Sequence, residues 1–433
     1  MPQLTLPYAS LSVPAHQWKQ QALAWATQWH EVVAYYDSNH IAYRHGAFRN
    51  LLGVQKESSG RALLTWQDLE QRLQANPQTP LLGYFTYDLK NSLENLQSRH
   101  PDFIGFPELY FFEPEVWLEW GEEAVVLHSL SADLVPVAEE ILNTPFSGHF
   151  PENPVKTQAR VSKAEYVQAV EHLRHHILEG DVYEVNYCQE FYAENVTVNP
   201  LPLFWELTQT SPTPFAGFLK VQDRYLLCAS PERFLKKEKS LLITQPIKGT
   251  IRRGGTPAED ERQRQLLASS EKEQAENMMI VDLVRNDLNR VAATGTVQVE
   301  ELFGLYGFRY VWQMISTVTG QLPSNVSSVE AIKAAFPMGS MTGAPKLRAL
   351  ELIEQYEKTK RGLYSGSFGY FLPNGDFDFN VVIRSIQYYT QTGYLSFEVG
   401  SAITYDSDPE QEYQECLLKA AAINKVLQGP ADR

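Results

Sequence analysis

The stretch from Gly362 to Thr404 constrains the fold of this chain most. It reads as successive strands, LYSGSFGYFL, FNVVIRSIQYY and YLSFEVGSAITY, and the first two are separated by the turn PNGD. An Asn-Gly turn between apolar, β-branched and aromatic runs signals a hairpin, because such a turn needs residues that tolerate positive φ. A hairpin makes its strands antiparallel. Arg384 stands among Val381, Val382, Ile383 and Ile386. A guanidinium in so apolar a run either faces water or pairs with a buried acid.

The chain has 433 residues, room for two or three domains or one composite fold. Hydrophobic residues make up 43% and aromatics 12%, enough for a sizeable core and too much for disorder. The net charge of −15 disfavours nucleic acid, whose binders carry basic stripes. It leaves room for a small anionic substrate, because a few local cations or a metal set the sign of one pocket. The opening MPQLTLPYASLSVPAHQWKQ lacks a basic segment leading into an apolar run. No stretch approaches the roughly 18 apolar residues of a membrane span. Cys188, Cys228 and Cys416 are odd in number and widely spaced, which disfavours a disulfide framework or a cysteine zinc site. The expectation is a reduced, cytoplasmic globular protein with no nucleic-acid or membrane partner.

Residues 1–150 are aromatic-rich and broken by turns, and NTPFSGHFPENPV (Asn143–Val155) is the best linker candidate. A helix follows, with the capping box Ser162 and Glu165, the stripe Tyr166, Val170, Leu173 and Ile177, and the stop Gly180. His172, His175 and His176 share that helix, but two or three helical histidines without a further ligand do not close a zinc sphere. VYEVNYCQEF reads as a strand. Ser270–Arg290 is a second helix with Ile280, Leu283 and Val284 on its apolar face. Glu276 projects from that face, where a carboxylate is expensive unless paired or metal-bound; the alternative is a first turn frayed into water. FPMGSMTGAPKLRALELIEQY leads a loop of small residues into a helix whose first turn suits Pro345. In the last helix, Glu412, Glu415 and Lys419 share one face. Glu415 also sits beside the apolar face through Leu418 and Ala422; the alternative is a solvated charge stripe. Inward glutamates on two helices suit Mg²⁺, which takes carboxylate oxygens, waters and substrate oxygens.

TQPIKGTIRRGG places Lys248 where a strand ends in a glycine turn. It is either a solvated turn lysine or a nucleophile.

Seven segments in order, GDVYEVNYCQEF, SPERFL, PIKGT, KEQAENMMIVDLVRNDL, MTGAPK, RGLYSGSFGYF and DPEQEYQECLLKA, resemble the chorismate-utilising enzymes. The resemblance runs from about Ser162 to Val426. It implies an α+β fold: a large sandwich of two packed, mainly antiparallel sheets with helices outside. Residues 151–433 would form the chorismate-binding catalytic core. Residues 1–150 more loosely resemble the accessory region of anthranilate synthase large components and would pack into the same composite fold. Lysine at position 248 resembles the aminodeoxychorismate synthase branch; the anthranilate, isochorismate and salicylate branches typically carry alanine. The alternatives are an anthranilate synthase large component, or a silent subunit that binds chorismate or tryptophan.

The resemblance implies that Lys248 attacks C2 of chorismate as a neutral amine, which requires a depressed pKa, while Glu232 protonates the leaving C4 hydroxyl. Ammonia then attacks C4 and expels the amine. Glu276 and Glu415 match metal-binding glutamates, with Glu412 acting from further out or through water. Tyr364 and Arg384 match groups that hold the pyruvyl carboxylate. The backbone at Gly400, Ser401 and Ala402 and at Gly249 and Thr250 would cradle carboxylates, and Lys419 matches a carboxylate-contacting position. Gln313 departs from the family, where histidine is common. NYCQE, LLCAS and QECLL do not resemble a glutaminase nucleophile turn, so a glutamine amidotransferase subunit is the expected partner.

Overall fold

A computed structural model of the chain describes residues 2–58, 62–75, 77–131, 133–146 and 154–429. Most of the connection expected at Asn143–Val155 lies outside the described residues. Among the described residues, one sheet has twelve strands and the other nine. The two make an α+β sandwich, as expected.

The strands owe their places to period-two burial. On Val32–Asp37, Val33 and Tyr35 join the core under the helices, while Val32, Ala34 and Tyr36 join the core between the sheets. On Leu81–Phe85, Leu82 and Tyr84 enter that same middle layer, and Leu81 and Phe85 face the helices of the other side. Tyr36 stacks on Phe368 across the layer with ring centres 4.4 Å apart. Both faces of these strands are therefore dry, which explains their unbroken apolar runs.

Strands from the first 150 residues enter both sheets. Val32–Asp37 pairs with Phe215–Val221, and Leu81–Phe85 pairs with Ser367–Phe371. The helix Lys163–Leu178 has its reciprocal capping box, and Glu184–Ala193 follows as a strand. His176 bonds Asp181 and Tyr356, so it has a packing role rather than a ligand's. Pro345 is the cap residue before Lys346–Tyr356, one position earlier than the sequence suggests.

The PNGD turn joins Ser367–Phe371 to Phe377–Asn380, with Phe371 opposite Phe377. Two expected strands differ. LYSGSFGYFL becomes extended only from Ser367. FNVVIRSIQYY is broken: Phe377–Asn380 lies in the nine-stranded sheet and Ser385–Tyr389 in the twelve-stranded one. Val381–Arg384 carries the chain between sheets, and Arg384 turns it with φ 51°. A second crossing runs beside it, from Arg224–Ser230 through Pro231 and Glu232 to Arg233–Glu238. The two are tied by Val381 N–H donating to Glu232 O at 3.0 Å and by the Ser230 hydroxyl donating to Val381 O at 2.5 Å. Apolar runs this long read as one strand in sequence because both sheets bury them.

Candidate active site

Lys248 owes its direction to a bulge. Leu241–Gln245 and Ile247–Arg252 follow the same partner strand, Val311–Gln321, in one register from Leu241 opposite Gln321 to Ile247 opposite Ile315. Thr250 then lies opposite Gln313, so one residue is extra. Gly249 takes φ +92°, a conformation cheap only for glycine. A bulge bends the strand and re-aims a side chain. The strand thus continues past the glycine rather than ending in a turn, and Lys248 points inward with its side chain 10% exposed. Asn277 of the helix Glu271–Asn289 braces the bulge. Its amide lies within 3.5 Å of Lys248 O, and its Oδ1 accepts from the Ser316 hydroxyl at 2.5 Å.

Three carboxyl groups from three elements surround the amine. Glu184 opens its strand, is 1% exposed, and accepts from Lys248 Nζ at 2.5 Å through Oε1. Glu232 lies at the sheet crossing and Glu276 on the helix. Burial works against the Lys248 ammonium, but Glu184, Glu276 and Glu232 outweigh it and raise the amine's pKa. The family resemblance implies a depressed pKa; here the three carboxyl groups act the other way and favour the charged amine, Glu184 through a direct ion pair.

Glu232 is buried, and Ser340 donates to its Oε1 at 2.7 Å. Burial pushes its carboxyl up to about 7, against the Ser340 bond and the Lys248 charge. Such a group is half protonated at neutral pH, which suits a general acid. Burial likewise pushes Glu276 up to about 7, against Lys248. Its side chain is inward rather than frayed, and Lys272 is 3.8 Å away.

The helix Pro409–Leu427 brings the other carboxyls. Glu412 is buried and accepts from the Ser407 hydroxyl at 2.8 Å. Glu415 is 49% exposed and pairs with Lys419 at 2.8 Å. Leu418 is 73% exposed, so it does not extend an apolar face to Glu415, which is itself exposed. Desolvation raises the Glu412 and Glu273 carboxyls, and the Glu415 charge adds to both. Lys272 feels Glu276, Glu412, Glu273 and Glu415 together. Among the described residues, no three His, Cys, Asp or Glu side chains converge as a metal-ligand group. The donors on these two helices are nonetheless all carboxylate oxygens; burial raises Glu276, Glu412 and Glu273, while Lys419 outweighs burial and lowers Glu415. That donor chemistry fits a hard divalent cation.

The remaining predicted residues divide. Arg384 is half-buried with no hydrogen bond or ion pair to its guanidinium; burial lowers its pKa against the Glu232 charge. An unpaired, inward arginine is equipped to hold an anion. Tyr364 is buried, with Cys188 and Glu398 as neighbours, and burial raises its hydroxyl pKa. Gly400, Ser401 and Ala402 pair on one edge with Cys188, Tyr187 and Asn186. Beyond Ser396 the other edge has no paired strand among the described residues, and Gly400 O accepts from Lys419 at 2.8 Å. The Ser401 hydroxyl is buried beside Tyr166. Thr250 is exposed on the far side of the bulge. Gln313 is buried opposite it, with Oε1 unpartnered. Sequence reasoning assigned no role to Glu184, Ser340 or Asn277. All three lie in segments quoted for the resemblance or beside them, and their signal was position alone.

The chorismate binding enzyme family model matches residues 20–425. The chain belongs to the chorismate-binding enzyme family. This chorismate-binding enzyme is 36% identical over 372 residues to anthranilate synthase component 1 of Thermus thermophilus, covering 82% of the chain and 80% of that protein. It is 35% identical over 362 residues to aminodeoxychorismate synthase component 1 of Bacillus subtilis, covering 80% and 76%. The solved menaquinone-specific isochorismate synthase of Escherichia coli superposes with a TM-score of 0.78 at 19% identity, over 99% of this chain and 94% of that one, which speaks for the fold. Among the described residues no helix is long and apolar enough to cross a membrane.

Proposed function

We propose that this enzyme is the chorismate component of an aminodeoxychorismate synthase. It converts chorismate and ammonia to 4-amino-4-deoxychorismate, serving para-aminobenzoate and folate synthesis. The ammonia comes from a glutamine amidotransferase partner. The observation that carries this reading is Lys248, turned inward by its bulge and close enough to a half-protonated Glu232 to feel its charge.

The chemistry follows from those two groups. Once Lys248 has shed a proton, its amine attacks ring C2 and the double bond shifts. Glu232 gives its proton to the C4 hydroxyl, which leaves as water; without that proton the leaving group is hydroxide. Ammonia attacks C4, the double bond shifts back, and the C2–N bond breaks to release the lysine amine. The ammonium formed at C4 returns a proton to Glu232. Arg384 holds the side-chain carboxylate. Glu276 and Glu415 would hold Mg²⁺, which when bound supplies positive charge for the ring carboxylate.

A second reading, an anthranilate synthase component, draws on the Thermus relative. A product assay separates the two. With chorismate, ammonium and Mg²⁺ the expected product keeps its enolpyruvyl group. Fluorescent anthranilate with stoichiometric pyruvate establishes the second reading instead. With glutamine in place of ammonium, the purified chain alone is expected to be inactive.

A further inference from the structure

Glu184 lies at the start of its strand, and its surroundings fix it there. Tyr183 N–H donates to Ala344 O at 2.7 Å and Asn186 N–H donates to Thr342 O at 2.8 Å, on either side of it. Ala344 lies opposite Glu184 in the ladder. Gly343 takes φ +141° and passes so close that a Cβ there would stand 2.0 Å from Glu184 O. The same short segment holds Glu232 through Ser340. One stretch, 340–344, thus sets two carboxyls on the lysine.

Their tasks differ. Glu232 accepts from Ser340 and feels Lys248 only as a charge, whereas Glu184 bonds the amine directly through Oε1. Glu184 Oε2 is buried with no partner. A carboxylate left half-satisfied in this way contributes little stability, because desolvation offsets the attraction within a buried pair. Its consequence falls on the group it does bond.

We propose that Glu184 is the positioning residue of the nucleophile, anchoring the Lys248 amine at the bulge through its direct ion pair until substrate arrives. The groups whose charge reaches Lys248 are Glu184 from its strand, Glu232 from the crossing, Glu276 and Glu273 from the helix Glu271–Asn289, and Glu415 from the last helix. Of these only Glu184 makes an ion pair with it. An opposite charge at such a distance favours the charged form by about 1–3 pH units. Glu184 is therefore the one of these groups that both fixes the amine in place and favours its charged form. This assignment rests on the nucleophilic reading of Lys248, but the amine can be read without catalysis.

The test is carbamoylation of Lys248 by cyanate, followed by peptide mass spectrometry across pH, on the full chain without chorismate. In the parent the midpoint of the labelling profile is expected above that of an ordinary lysine. Glu184→Gln keeps the shape and an acceptor but removes the charge, and should move the midpoint down by about 1–3 pH units. Glu184→Asp keeps the charge and should retain the high midpoint, which guards against a variant that folds poorly. An unchanged midpoint in a folded Glu184→Gln overturns the proposal. A parallel search for a chorismate adduct on Lys248 separates the two ideas. A shifted midpoint without an adduct removes the nucleophile and keeps Glu184's hold on the amine. An adduct with an unshifted midpoint does the reverse.

Discussion

Ser340 donates to Glu232 Oε1 at 2.7 Å across 108 residues of sequence, joining the loop before Lys346–Tyr356 to the crossing between the sheets. The bond favours the ionised carboxyl, yet burial outweighs it and leaves Glu232 near 7. Below that pH Glu232 and Lys248 both carry protons, and the amine cannot attack. Above it the pair shares one proton, and the productive arrangement places that proton on Glu232 with Lys248 neutral. Formation of the Lys248 adduct, in ammonium-free buffer at saturating Mg²⁺, is therefore expected to rise as pH passes upward through about 7. Rapid quench and mass spectrometry give the rate at each pH. A rate that falls through this range would remove Glu232 as the acid.

Glu232→Gln tests the same carboxyl by chemistry. The amide still accepts from Ser340 but has no proton to give the C4 hydroxyl. The turnover number should fall by about 10²–10⁴. Chorismate affinity, from calorimetric titration, should change little. A large loss of affinity with turnover intact would make Glu232 a binding group.

Lys248→Arg keeps a cation for Glu184 but offers no neutral amine. The variant is expected to fold and bind chorismate without forming an adduct. Turnover at the parent rate would reduce Lys248 to an electrostatic role.

How much of this was legible depended on which forces act locally. The hairpin at PNGD and the capping box at Ser162 are set by neighbouring residues, so spacing displays them. The break at Val381–Arg384 depends on which sheet each half joins, and an apolar run buried on both faces carries no mark of that choice. Glu276 was legible because a carboxyl on an apolar helical face is costly and conspicuous. Glu415 was placed against Leu418, a leucine that faces water, and single exposed leucines are ordinary. Glu184 was invisible: its partner is 64 residues away, and a glutamate at the start of a strand looks solvated.

Metal dependence should differ between the two helices. Glu276→Ala removes a buried carboxyl whose charged form is penalised, so thermal stability should hold or rise, while the Mg²⁺ concentration for half-maximal activity increases. Glu415→Ala removes a half-exposed carboxylate and frees Lys419, so the effect should be in the same direction but smaller. Mg²⁺ titrations of activity and melting curves check both. Full activity of each variant in chelator would exclude the pair as a metal site.

Gly249→Ala separates the aim of Lys248 from its identity. The φ of +92° costs an alanine about 1–2 kcal/mol, and its Cβ would stand 3.0 Å from Glu273 Oε2 and 3.2 Å from Leu267 Cδ1. The variant can relieve this by flattening the bulge, which turns Lys248 away from Glu184 and Glu232. Gly180 is the control. It has φ +82° after the helix Lys163–Leu178, with nothing within 4 Å of an added Cβ. Gly180→Ala carries a similar backbone penalty away from the amine. Both variants should lose about 1–2 kcal/mol in urea unfolding, and only Gly249→Ala should also lose adduct formation, by tenfold or more. If Gly249→Ala forms the adduct at the parent rate, the bulge does not aim the lysine.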